Sequence, residues 1–318
     1  MKRLLYGLID RAVIMLSSVI MYKKRYFSKS VESPDFAEQI RYVSVRMPEI
    51  NGRGFYEAAG DTMFSSQTAT VAVLQWIGAE HITIIYQYGY MERVFDFYPV
   101  RDNKFKKIFF PDRGLPIQAN VIGIRTMVDG NTAEYIENMR HLSEFIASLC
   151  FYTKVNEVLV QHLKKTPDAR VLLMGTGFGG AVVNLHRTYF NSANAYIPLF
   201  SGAALGSVFT ESAYRSMTGK KARKSKVQLD YRLNFDYDFR RRQTRNVFPM
   251  LAAYDKIAVE KTQRLAYGTT PVETIDKGHY TGRNDYPAIR RHLLSVYDIV
   301  AKERDQNKSI KRWNRQIR

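Results

Sequence analysis

The chain has 318 residues, 45% of them hydrophobic and 13% aromatic, which is ample for one large α/β domain and excludes a disordered chain. Its one cysteine, Cys150, excludes an internal disulfide framework and any zinc site built on several cysteines. The net charge is +18, and most of it lies in three places: residues 1–33 carry +5, residues 220–245 carry +7 and residues 302–318 carry +5. The remainder is close to neutral, so the basicity belongs to appendages that favour polyanions such as RNA, anionic lipid or an acidic protein surface.

In chain order, residues 1–33 come first, with an apolar stretch between basic residues. The run Ala12–Tyr22 has eleven residues, too few to span a bilayer. Extending it back to Leu4 reaches spanning length but takes in Asp10 and Arg11, which are costly in lipid. The segment is basic and poor in acids, like a mitochondrial transit peptide, and Arg25-Tyr26-Phe27-Ser28 matches the pattern at which such presequences are cut. An amphipathic helix packed on the domain or on a membrane is the other reading.

From about residue 34 to 301, apolar runs alternate with helical ones. Residues 41–47 alternate like a strand. The runs 70–78, 81–89 and 119–127 read as further strands, and 134–165 as one long helix or two abutting ones. Residues 170–175 form an apolar strand, 177–190 a helix, and 195–202 and 246–255 two more strands. After 257–268 come a strand at 271–276 and a closing helix at 287–305. This alternation implies a mostly parallel central sheet sandwiched by helices. The basic stretch 215–245 interrupts it and reads as an insertion or lid, and residues 302–318 read as a basic tail.

The residues from Gly175 to Gly180 satisfy G-x-G-x-x-G between a strand and a helix, the form of a dinucleotide loop. That loop also needs an acid about 20 residues on, whereas the first acid after the glycines is Glu211. The same turn matches a hydrolase nucleophile elbow, G-x-S-x-G, with Gly177 where the serine would stand. Asp255 follows after 78 residues, at the end of an apolar run, and His279 comes 24 further on, just before the last helix. Upstream, Tyr88-Gly89 resembles the turn that supplies an oxyanion N–H, and Phe178, next after Gly177, would supply the other.

On these residues, across roughly 70–300, the chain resembles the α/β-hydrolase superfamily, in a lipase- or esterase-like branch. The resemblance implies an α/β-hydrolase fold with triad positions at Gly177, Asp255 and His279. Gly177 has no side chain to form an acyl-enzyme, and losing a triad serine costs on the order of 10⁶ in turnover. The expectation is therefore a protein that is not an enzyme, but a structural subunit of a larger mitochondrial assembly in the matrix or on the inner membrane, such as a ribosome or respiratory complex. No cofactor and no metal are expected. Contacts with other subunits, rRNA or anionic lipid would fall to Lys220, Lys221, Arg223, Lys224, Lys226, Arg240, Arg241, Arg242 and Arg245, and to Lys311, Arg312, Trp313 and Arg315 in the tail. Interleaved aromatics such as Tyr231 and Tyr237 suit such contacts, although VQLDYRLNFDYDF also alternates like a strand. The alternatives are an ester or lipid hydrolase using Asp255 and His279 without a serine nucleophile, and a dinucleotide-binding protein using Gly175–Gly180. Thr176 and Ser201 are the hydroxyls closest to hand as replacement nucleophiles, Thr176 one residue early and Ser201 at a strand end.

Overall fold

A computed structural model describes residues 2–89, 103–111, 117–125, 136–242 and 244–316, with side chains described between residues 4 and 306. Its centre is a sheet of β1 (Gly54–Asp61), β2 (Ser66–Gln75), β3 (Ile82–Gln87), β4 (Ala119–Ile124), β5 (Val171–Thr176), β6 (Ala195–Leu199), β7 (Met250–Ala252) and β8 (Glu273–Ile275). The strand order is β1-β2-β4-β3-β5-β6-β7-β8. Strands β1 and β2 are antiparallel, β2 is antiparallel to β4, and all other pairings are parallel. This is the α/β-hydrolase fold, a mostly parallel sheet between helices, as the sequence pattern implied.

The helices are α1 (Lys2–Ile20), α2 (Phe36–Gln39), α3 (Lys104–Phe109), α4 (Leu142–Leu163), α5 (Phe178–Tyr189), α6 (Leu205–Thr210), α7 (Lys220–Lys224), α8 (Lys226–Leu233), α9 (Asp236–Arg241), α10 (Glu260–Tyr267), α11 (His279–Arg283) and α12 (Tyr286–Gln316). Strands β3 and β5 are buried on both faces, and this is why they read as unbroken apolar runs. Successive residues feed opposite cores. Ile85 and Leu173 pack with α4 and α5, while Ile84 and Leu172 pack with Phe105 and Phe109 of α3 and with Ile289, Leu293 and Val296 of α12. Cys150 is buried in the first of these cores, and burial pushes its thiol up, so it behaves as a small apolar side chain.

Three expectations need correction. Residues 41–47 are not a strand: a 3-10 turn spans Ile40–Tyr42, and a single bridge joins Arg46 to Ala59 of β1. Residues 246–255 are not one continuous strand: Val247 makes a single bridge to Tyr196 of β6, and Met250–Ala252 form β7. The alternating stretch after Val227 is helical, because Leu229 and Leu233 lie one turn apart on α8 and bury together beneath the basic surface. The C-terminal tail continues α12 as far as Gln316.

The glycine turn is built on close approach. A Cβ on Gly179 would lie 2.1 Å from the Gln87 carbonyl oxygen of β3, and one on Gly180 would lie 3.0 Å from the Leu199 carbonyl oxygen of β6. These glycines let α5 seat closely against β3 and β6. Gly179→Ala should cost about 3 kcal/mol, the upper end of overpacking, since backbone and not a flexible side chain blocks the methyl. Chemical denaturation of the two proteins measures it.

Candidate active site

Gly177 sits between β5 and α5 with φ 57° and ψ −113°, a left-handed-side conformation that L side chains rarely adopt. Its amide donates to the Leu199 carbonyl at 2.9 Å, which pins the tip of the turn to β6. The turn faces a cavity of about 560 Å³, walled by Met21, Phe145, Phe178, Leu205, Phe209 and Ile257 among others. His279 and Ser201 also line it. The space where a side chain on Gly177 would stand is open, with the Arg283 Nη1 atom the nearest heavy atom at 4.0 Å.

Asp255 follows β7 and His279 opens α11, so two loops at the same end of the sheet carry them. Both are buried, at 3% and 4% exposure, and His279 Nδ1 lies 2.7 Å from Asp255 Oδ2. The other carboxylate oxygen accepts the amides of Ile257 at 2.6 Å and Ala258 at 2.9 Å, which fixes the acid's orientation. Burial pushes the Asp255 carboxyl above the ordinary carboxylate range, opposed by the attraction and hydrogen bond of His279 and by the Ile257 amide. With Nδ1 held by the acid, the other ring nitrogen is the one left for chemistry. The acid and the histidine that the spacing singled out are therefore in contact.

Sequence reasoning missed the role of Asp10. It lies on α1, fully buried, and accepts the amides of His279 at 2.8 Å, Tyr280 at 3.1 Å and Lys256 at 3.1 Å. One carboxylate thus ties the loop of the acid to the loop of the histidine across more than two hundred residues. The only hint in the sequence was a lone acid inside an apolar helix. Tyr26 and Phe27, beyond α1, are buried as well, and Tyr26 lines the cavity, so residues 4–33 pack on the domain. Asp10→Ala leaves three amides without their acceptor and should destabilise the chain by about 3 kcal/mol, measurable as a lowered thermal midpoint.

The other singled-out residues divide. The Tyr88 amide donates to the Ile124 carbonyl at 3.1 Å within the sheet, so it is not the oxyanion donor expected of it. Gly89 is buried beside it, and residues 90–102, which follow, lie outside the described residues. Phe178 lines the cavity, and its amide opens α5, where helix geometry leaves donors without intrahelical acceptors. The Thr176 hydroxyl is 2.8 Å from the Tyr86 hydroxyl in the core, which removes it as a nucleophile. Among the described residues no cluster of three or more His, Cys, Asp or Glu side chains could hold a metal.

The basic stretch forms α7, α8 and α9, held to the domain by buried Arg187, which donates to the carbonyls of Phe239, Arg242 and Thr244. Arg242 donates to the carbonyls of Thr188 and Tyr189, Arg240 pairs with Asp236, and Lys226 pairs with Glu211 and Asp230. Arg242 and Lys226 thus reach partners outside the stretch, while Arg240 pairs within α9. Lys220, Lys221, Lys224, Arg241 and Arg245 are exposed, and Arg223 is half-buried. Lys311, Arg312, Trp313 and Arg315 fall on the last turns of α12, where their side chains lie outside the described residues.

No protein-family model matches the chain, and no curated protein sequence does. Solved structures do. An acetyl xylan esterase from a Thermoanaerobacterium species superposes with a TM-score of 0.53 at 13% identity, covering 87% of this chain and 98% of that one. A glucuronoyl esterase of carbohydrate esterase family 15 from Caldicellulosiruptor kristjansonii gives 0.53 at 12% identity, covering 91% and 85%. A prolyl endopeptidase gives 0.54 at 16% identity, covering 83% of this chain but 39% of its own. At such identities the likeness establishes the fold. It also overturns the expectation that the chain is not an enzyme. That expectation took Gly177 as the end of catalysis, whereas the proteins sharing the fold are esterases and peptidases, and this chain keeps a buried acid–histidine pair at an open cavity.

Proposed function

We propose that the chain hydrolyses esters with apolar acyl groups, that Gly177 stands at the nucleophile position, and that water attacks in place of a serine. The observation that carries this reading is the 2.7 Å His279–Asp255 contact at the wall of an apolar cavity, opposite a turn with no side chain. The acyl group would lie among Phe145, Leu205 and Phe209, and burying it would supply most of the binding.

In the proposed reaction, His279 takes a proton from a water as the water oxygen bonds to the ester carbonyl carbon. Asp255 holds the ring and stabilises the positive charge it gains. The carbonyl oxygen becomes an oxyanion facing the first amides of α5, with the Arg283 guanidinium nearby. The carbon–oxygen bond of the alcohol then breaks, His279 returns its proton to the departing alkoxide, and an acid and an alcohol leave. The space beside Gly177 is where the water would sit.

The test is hydrolysis of a short-chain nitrophenyl ester by the natural chain, together with exposure to a serine-directed fluorophosphonate. Turnover without labelling supports the water mechanism. Labelling that is lost in Ser201→Ala would replace it with a covalent route through Ser201, which shares the cavity with His279.

A further inference from the structure

Helix α1 has two unlike faces. Gly7, Asp10, Ile14 and Ser18 point inward and are buried. On the opposite face Leu4, Leu5, Leu8, Met15, Leu16 and Val19 are between 54% and 72% exposed, with Arg11 and Ala12 between them. A helix on the surface of a domain ordinarily turns its polar side outward; this one is inverted. Its 19 residues make an apolar strip about 28 Å long, more than scattered surface leucines account for.

Two further observations say what covers the strip. The end of α1 runs into exposed cations: Lys23 and Lys24 follow it, and Lys220 and Lys221 stand beside it, because Gly219 packs against Ser28 and its amide donates to the Tyr26 carbonyl. Arg215, in the 3-10 turn Ala213–Met217 that packs on α1, is exposed as well. The strip is also continuous with the cavity. Ser17, Ile20 and Met21 line it, and Ile20 is at the same time 74% exposed, so the cavity opens at the edge of the strip. Among the described residues no helix is long and apolar enough to cross a membrane.

We infer that the outer face of α1 docks on an anionic lipid surface, lying in the interface with the cavity mouth toward the lipid, so that the esters reached are lipids. This rests on the ester-hydrolase reading for its substrate, but the docking itself does not depend on turnover. An apolar strip flanked by lysines and arginines fits such a surface on both counts, since each cation near it strengthens binding roughly fivefold. A second copy of the chain fits worse, because it would bring two basic rims together.

Flotation of the full chain with vesicles of phosphatidylcholine alone, or with phosphatidylglycerol added, tests this. Binding is expected to the anionic vesicles and to weaken with salt. Leu8→Gln with Leu16→Gln should reduce it roughly tenfold or more, while leaving hydrolysis of a water-soluble ester unchanged and lowering hydrolysis of a vesicle-borne one. His279→Ala should bind vesicles like the natural chain, which separates failure of docking from failure of the hydrolase reading. Absence of vesicle binding, equal binding by the double variant, or a native dimer that the double variant converts to monomer each overturns the inference.

Discussion

Serine in place of Gly177 should make the chain react with a fluorophosphonate that leaves the natural protein unlabelled. Steric room is available, since the nearest heavy atom to a Cβ at this position is 4.0 Å away and belongs to the Arg283 side chain. The backbone resists, because φ is 57° and ψ is −113°. Holding a serine there costs about 1–3 kcal/mol, as strained active-site residues do, and the thermal midpoint of the variant should drop by several degrees. In exchange the hydroxyl would stand at the cavity beside the acid–histidine pair. Mass spectrometry of the labelled protein reads the outcome. A folded Gly177→Ser chain that stays inert would show that the turn does not present its residue to His279, and the elbow reading would fall.

His279→Ala should lower ester hydrolysis by about 10²–10⁴, the usual worth of a positioned general base, with Asp255→Asn acting in the same direction. The natural chain should lose kcat/KM as the pH falls and Asp255 takes up a proton, for then it no longer holds a charged imidazole. Burial raises the Asp255 carboxyl, so this loss begins above the ordinary carboxylate range. Asp255→Asn should abolish that part of the profile. The linked effect on stability has the opposite sense: between the unfolded and the raised folded value the native chain holds the extra proton, so this carboxyl's contribution to stability falls as pH rises through that window. Full activity in His279→Ala would sink the mechanism outright.

Much of this was legible in the chain itself. Apolar runs such as 170–175 and 195–202 are buried on both faces of a parallel sheet, and their composition says so without any partner being known. The glycine turn and Asp255 could be placed for the same reason, since each follows a buried apolar strand, whereas β8 before His279 is short and largely exposed and marks it only weakly. Other regions misled. Strand β1 was missed because Gly54–Asp61 is an edge strand of small and half-exposed residues, with little pattern to read. The stretch from Val227 to Phe239 alternates like a strand, yet the burial of Leu229 and Leu233 against α6 made it helical. The turn at Tyr88 looked like an oxyanion donor until its amide was found bonded to Ile124.

What the sequence determined by itself was therefore local: strand, turn and helix propensities, the glycines that only close backbone approach explains, and the positions of an acid and a histidine. What only the tertiary structure decided was which distant groups meet. Asp10 acquires its meaning from amides 246 to 270 residues away, and α1 its inverted polarity from the face that the domain leaves uncovered. The apolar pattern of a helix fixes that it has a face, but the surroundings choose whether that face looks into a core or out toward a partner.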